Sequence, residues 1–273
     1  MELGDDKIKH LYKYRKVNDY TKKILIDHSL HFSFTQDFND PFDGRVLIST
    51  AGTHSDIENW LKRIPMPETQ RKQMLYQFIN GIIDLQSIAT EMMKEKDNAM
   101  LVLCLSQKYD NKLMWSHYSD CHRGVCLGFK SEIYQNSLCV KFDDPVLLNM
   151  KGAYFGGYLP FMKVDYNDNM PFPYNLLKGN KDDLIPFILR KSKDWYYEEE
   201  RRTFLFNSLI RKQDISFPLN TLSEVYFGCD IDKKDKEELL EIVQKNYLDK
   251  GINVDLYQMI LSDTTYSLER KKI

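Results

Sequence analysis

Strand-length apolar runs punctuate this chain at irregular intervals. AMLVLCLS (99–106), GVCLGFK (124–130), LCVKFD (138–143), FMKVDYN (161–167), RRTFLFN (201–207), SEVYFGC (223–229) and NVDLYQMIL (253–261) each suit a strand. None approaches the roughly 18 apolar residues that span a bilayer. Helical spacing appears elsewhere. Asn18 can cap a helix over 17–28, and Ser55 opens one carrying Ile57, Trp60, Leu61 and Ile64. Beyond Pro65 and Pro67, apolar positions from Leu75 to Leu85 predict one helix over 68–96. Residues 181–195 and 231–251 are predicted helical, the latter closed by Gly251. Short strands with segregated helices predict an α+β fold: a mixed, mostly antiparallel twisted sheet. The expected organisation is one domain over 1–273, with a helical insertion or cap at 55–98.

Charge and cysteine usage narrow the classes. Lys and Arg number 38 and Asp and Glu 40, a net charge of −2, which argues against a protein that coats duplex nucleic acid. Five irregularly spaced cysteines form no disulfide framework, and the N-terminal MELGDDKIKHLYKYRK lacks a signal-peptide core. A cytoplasmic protein is expected. Common nucleotide-loop, metalloprotease and nucleophile-elbow signatures are absent from the sequence.

Four segments carry more chemistry than structure requires. In Leu11-Tyr12-Lys13-Tyr14-Arg15, strand alternation puts the tyrosines on one face and Lys13 and Arg15 on the other. Arg15 suits bidentate binding of phosphate. His31-Phe32-Ser33 leads into Phe38-Asn39-Asp40-Pro41-Phe42-Asp43, a turn whose polar residues can bond their own backbone. In Met114-Trp115-Ser116-His117-Tyr118, the aromatic rings suit stacking on a planar ligand and His117 suits a ribose or phosphate hydrogen bond. His122-Arg123-Gly124 follows. Cys121, His122 and Cys126 match no common zinc spacing, so no metal is expected.

The fourth segment is Lys191–Arg202, with Trp195 and two tyrosines ahead of Glu198, Glu199 and Glu200. On a strand, Glu198 and Glu200 share a face about 7 Å apart, Glu199 takes the other face, and Arg202 joins Glu200. One carboxylate can then stabilise developing positive charge while the other orients a nucleophile. These four segments are expected to converge on one cleft.

In order, LYKYR (11–15), FNDPFD (38–43), MWSHY (114–118), RGVCLGF (123–129), KSKDWYYEEERR (191–202) and VYFG (225–228) resemble the bacterial family called domain of unknown function 2971. Asp43 departs from it, standing where Glu is common. The motif order also resembles, topologically, the ADP-ribosyltransferases, whose split, twisted sheet clasps NAD. That resemblance implies Arg15 or Tyr14 on the NAD phosphates or ribose, Ser33 beneath the catalytic strand, and Glu200 stabilising an oxocarbenium-like transition state. Trp115 and Tyr118 would stack on nicotinamide. Asn39, Asp40, Arg123, Trp195 and Arg202, from the same segments, are further expected binding residues. The resemblance implies NAD as substrate, an acceptor of unknown kind, and a setting in toxicity or anti-phage defence. Two alternatives stand beside it: a nucleotide-sensing or partner-binding module, and a Mg²⁺-dependent nuclease using Asp40, Asp43, Glu198 and Glu200.

Overall fold

The computed structural model describes residues 5–96, 100–149, 155–180 and 182–273. Residues 1–4, 97–99 and 181, on which parts of the N-terminal, helical-insertion, strand and helix expectations fall, lie outside them. The fold is α+β with a mixed sheet. The chain divides into two compact units: residues 1–33, 101–164 and 194–273 form the first, and 34–100 with 165–193 the second.

The first unit is built on strands β1 (His10–Arg15), β2 (Met100–Ser106), β3 (Val125–Tyr134), β4 (Ser137–Lys141), β5 (Tyr158–Pro160), β6 (Met162–Lys163), β7 (Glu200–Phe206), β8 (Leu222–Phe227), β9 (Asp255–Leu261) and β10 (Leu268–Lys272). The main path of the sheet runs β10-β9-β8-β3-β1-β2-β7-β6. Strands β8 and β9 pair in parallel, and β9–β10, β8–β3, β3–β1, β1–β2 and β7–β6 are antiparallel. A parallel pair needs a long crossover, and the helix Lys233–Asn246 lies between the two strands in sequence. Asn18 caps α1 (Asp19–Asp27), accepting from the Thr21 amide as expected, and Lys22 of α1 pairs with Glu238 of the helix Lys233–Asn246 at 2.7 Å.

In β1 the alternation is as read. Tyr12 and Tyr14 pack with Trp115, Cys126 and Tyr226 in one apolar cluster. Two close approaches fix neighbouring glycines. A Cβ on Gly124 would lie 2.2 Å from the Arg15 carbonyl, and one on Gly228 1.9 Å from the His122 carbonyl. No other residue fits without moving backbone.

The second unit holds α2 (His54–Lys62), α3 (Glu68–Ile79) and α4 (Leu85–Lys96). These bury Trp60, Leu61, Phe78 and Ala89 against Tyr174, Leu176, Leu177 and Phe187. The helices expected as an insertion thus share a unit with residues from later in the chain.

Four local readings need correction. The cap of α2 is Thr53, not Ser55, with Asp56 closing a capping box. The single helix over 68–96 is two, because Gly81 takes φ of +65° and Asp84 then accepts from the Gln86 and Ser87 amides to start α4. Residues 181–195 are not one helix: helix Ile185–Leu189 stops where Arg190–Lys191 pairs with Asp165–Tyr166. Glu198 closes a 3-10 helix (Lys193–Glu198), and the strand begins only at Glu200.

Candidate functional site

Charged residues gather within the first unit around β1, β2 and β7. Glu198, Glu200 and Arg202 are all buried there. Glu199, between the two buried carboxylates, has φ of +42°. That left-handed step, not strand pleating, carries the chain between them. Its carbonyl accepts from the Gln107 amide at 3.0 Å. The expected asymmetry survives: Glu198 and Glu200 are buried, while Glu199 is half-exposed.

Each buried carboxylate has a partner. The Tyr118 hydroxyl donates to Glu198 Oε1 at 2.5 Å. Arg202 Nη2 donates to Glu200 Oε2 at 2.8 Å. A buried ion needs such pairing, since desolvation of an unpaired one costs several kcal/mol. Lys13 Nζ donates to the Cys104 carbonyl at 2.9 Å. Burial pushes the Lys13 ammonium below its ordinary range, Arg15 adds to that push, and Cys104, Glu200 and Glu198 oppose it. Burial drives the Cys104 thiol upward, helped by Glu200. That thiol is therefore no nucleophile at neutral pH.

Arg15 is the exception. Its Nε is buried and has no hydrogen-bond partner among the described residues. Burial lowers the pKa of its guanidinium, and among the described residues no carboxylate acts against that shift.

Other candidates take different places. Trp115 is fully buried, donating Nε1–H to the Tyr109 carbonyl at 2.7 Å. Tyr14 packs edge-on against it and His122 lies parallel to it. Trp115 is thus a core residue with no face offered to a ligand. The Tyr14 hydroxyl donates to the Lys108 carbonyl at 2.8 Å. His117 is exposed, its Nδ1 2.8 Å from the Tyr197 hydroxyl. Arg123 is exposed and pairs with Asp120 at 3.0 Å. Trp195 is half-buried, its ring 6.1 Å from that of Tyr197. Ser33 is half-buried in the two-residue strand Ser33–Phe34.

Asn39 and Asp40 belong to the second unit. Asp40 is buried, and its carboxylate accepts from the Phe42 amide at 2.9 Å, locking the turn over Pro41. Asp43 there meets Lys191 at 3.4 Å, both nearly sealed from water. Two separate motifs, FNDPFD and the start of KSKDW, thus meet in one buried ion pair. Among the described residues no three His, Cys, Asp or Glu side chains are grouped to hold a metal ion, and no helix is long and apolar enough to cross a membrane.

Sequence reading missed a tyrosine stack. Tyr109 and Tyr226 stack at 4.6 Å, and Tyr226 and Tyr257 at 4.9 Å. Arg270 lies 4.9 Å from the Tyr109 ring and 4.7 Å from that of Tyr257, and donates to the Tyr226 hydroxyl. Buried Glu224 accepts from Tyr12 at 3.2 Å and lies 3.6 Å from His10. A lone Glu inside the apolar run SEVYFG was the available signal.

The fold is thus α+β, with a charged cluster held in the sheet of its first unit. Residues 114–203 match the family described as Protein of unknown function (DUF2971), which supports the resemblance carried by the motifs. MWSHY, RGVCLGF and KSKDWYYEEERR fall within the match; LYKYR, FNDPFD and VYFG fall outside it. No curated protein and no solved structure matches the chain.

Proposed function

We propose that this protein is a cytoplasmic enzyme that binds NAD and cleaves its nicotinamide–ribose bond, passing ADP-ribose to an acceptor or to water. The observation that carries the reading is Arg15: among the described residues, its buried Nε has no partner and no carboxylate opposes the effect of burial. Buried polar groups without partners are rare, and a bound ligand, ion or water is one way they are completed. A pyrophosphate fits a guanidinium fork. In this reading Arg15 holds the phosphates, with Lys13 adding positive charge. Glu200, held in place by Arg202, faces the ribosyl carbon as positive charge develops there. The bond from that carbon to the nicotinamide nitrogen breaks, and its electron pair leaves with nicotinamide. Glu198, gripped by Tyr118, takes the proton from the incoming acceptor. Expression would then deplete NAD, as a toxin or defence effector does.

A second reading, nucleotide sensing without chemistry, is favoured by the pairing of both carboxylates. The test separates the two. Purified protein is incubated with NAD, and nicotinamide release is followed, with circular dichroism reporting the folded fraction. Glu200→Gln is expected to lower the rate per folded molecule by about 10²–10³, and Glu199→Gln to change it little. Binding of NAD with no release by the wild type would favour sensing. Absence of NAD binding would end both readings.

A further inference from the structure

One concavity in the first unit is lined by neither Arg15 nor Glu200 and has a different character. It encloses about 440 Å³, within the range of small-molecule sites. Lys7, Lys9, Lys108, Lys163 and Arg201 line it, and Glu199 is the sole carboxylate in the lining. Arg201 forms a rigid base: buried, it bonds Asp5 at 2.6 Å, Gln107 at 3.3 Å and the Phe161 carbonyl at 3.3 Å. Even if Asp5 neutralises Arg201, four ammonium groups face one carboxylate. None of the four lysines pairs with an acid among the described residues. His10 and Tyr12 add to the wall, both tied to Glu224.

The strand register supplies an independent observation. Lys163 of β6 stands directly across from Arg201 of β7. Like charges opposite one another in an antiparallel pair destabilise the sheet. Asp5 offsets part of that repulsion on the Arg201 side, and an anion beside Lys163 would offset the rest.

We propose that this concavity binds an oligophosphate chain, such as a nucleoside polyphosphate carries. Phosphate oxygens offer each ammonium a charge-assisted bond, and Arg201, already positioned by three partners, meets the anion with little ordering cost. The site is distinct from the NAD reading and does not depend on it.

Calorimetric titration of the full chain with inorganic tripolyphosphate, ATP and adenosine tests the proposal. Tripolyphosphate and ATP are expected to bind, more weakly as salt is raised, and adenosine not to bind. The double variant Lys108→Glu/Lys163→Glu changes only exposed side chains, so its fold is not at stake. It is expected to lose affinity by on the order of tenfold or more, whereas Arg15→Met is expected to retain it. Failure of the wild type to bind tripolyphosphate overturns the proposal. Equal binding by the double variant, or loss in Arg15→Met instead, overturns it too. Binding of a single-stranded RNA oligonucleotide without tripolyphosphate would replace the small-molecule ligand by a nucleic acid.

Discussion

Strand β1 presents two faces, one aromatic and one cationic, that keep their polar atoms under cover in opposite ways. On one, Tyr12 and Tyr14 give large apolar area and lose almost nothing, because each hydroxyl finds an acceptor, Glu224 and the Lys108 carbonyl. On the other, Lys13 and Arg15 carry charges whose burial is resisted. The aromatic face is what a fold needs. The cationic face is what a fold tolerates, and tolerance of that kind gathers where a ligand is to be held. The same period-two pattern produced both, so alternation alone does not separate stability from function; the partners do.

Substitutions on each face can break this contrast. The largest effect is expected from Trp115→Ala beside Tyr14, which removes a fully buried indole and orphans the Tyr109 carbonyl. Urea unfolding should show a loss of about 3–5 kcal/mol. A loss under 1 kcal/mol would mean that the aromatic face is not the foundation it looks like. Arg15→Met should behave oppositely, leaving the unfolding free energy unchanged or raised by up to about 1 kcal/mol, since no partner among the described residues is stranded. A marked loss there would show that Arg15 is structural and would undercut the NAD reading.

The smallest effect concerns pH. Burial holds His10, on the aromatic side, below its ordinary value of 6.5, despite the opposing pull of Glu224, and burial lowers His28 likewise. The unfolded chain therefore takes up protons first as pH falls. Stability should decline as pH drops below about 6.5 and level off once the native histidines protonate. Melting temperatures across that range should fall less steeply in His10→Gln. A slope unchanged by that substitution would remove His10 from the account.

Much of this was legible in the residues. The α+β class, the Asn18 cap and the faces of β1 follow from spacing alone. The contrast of Glu198 and Glu200 with Glu199 was also read, but for the wrong reason: a strand was expected where a left-handed Glu199 makes the step. The broken helix at Asn80-Gly81 carried a turn signal that the apolar repeat on either side outweighed. The stack of Tyr109, Tyr226 and Tyr257 was not legible, because Tyr226 meets Tyr257 only through the β8–β9 register and Tyr109 joins from a loop more than a hundred residues earlier. Arg15 was legible as a candidate, but its missing partner was not, since solitude is a property of surroundings.

The division into interleaved segments has a kinetic consequence. Strands β1 and β2 are neighbours in the sheet, yet all of residues 34–99 intervene between them in the chain. Strand β7 likewise joins β2 only after the excursion through 165–193. Loop closure of this kind costs little at equilibrium, about 0.6 kcal/mol for each doubling of length. It costs time, because distant pairings must be found before they reward the search. The central sheet is therefore a late structure on the folding path. The residues that would bind and cleave NAD, drawn from β1, the 193–198 helix and β7, come into register only when that search is over.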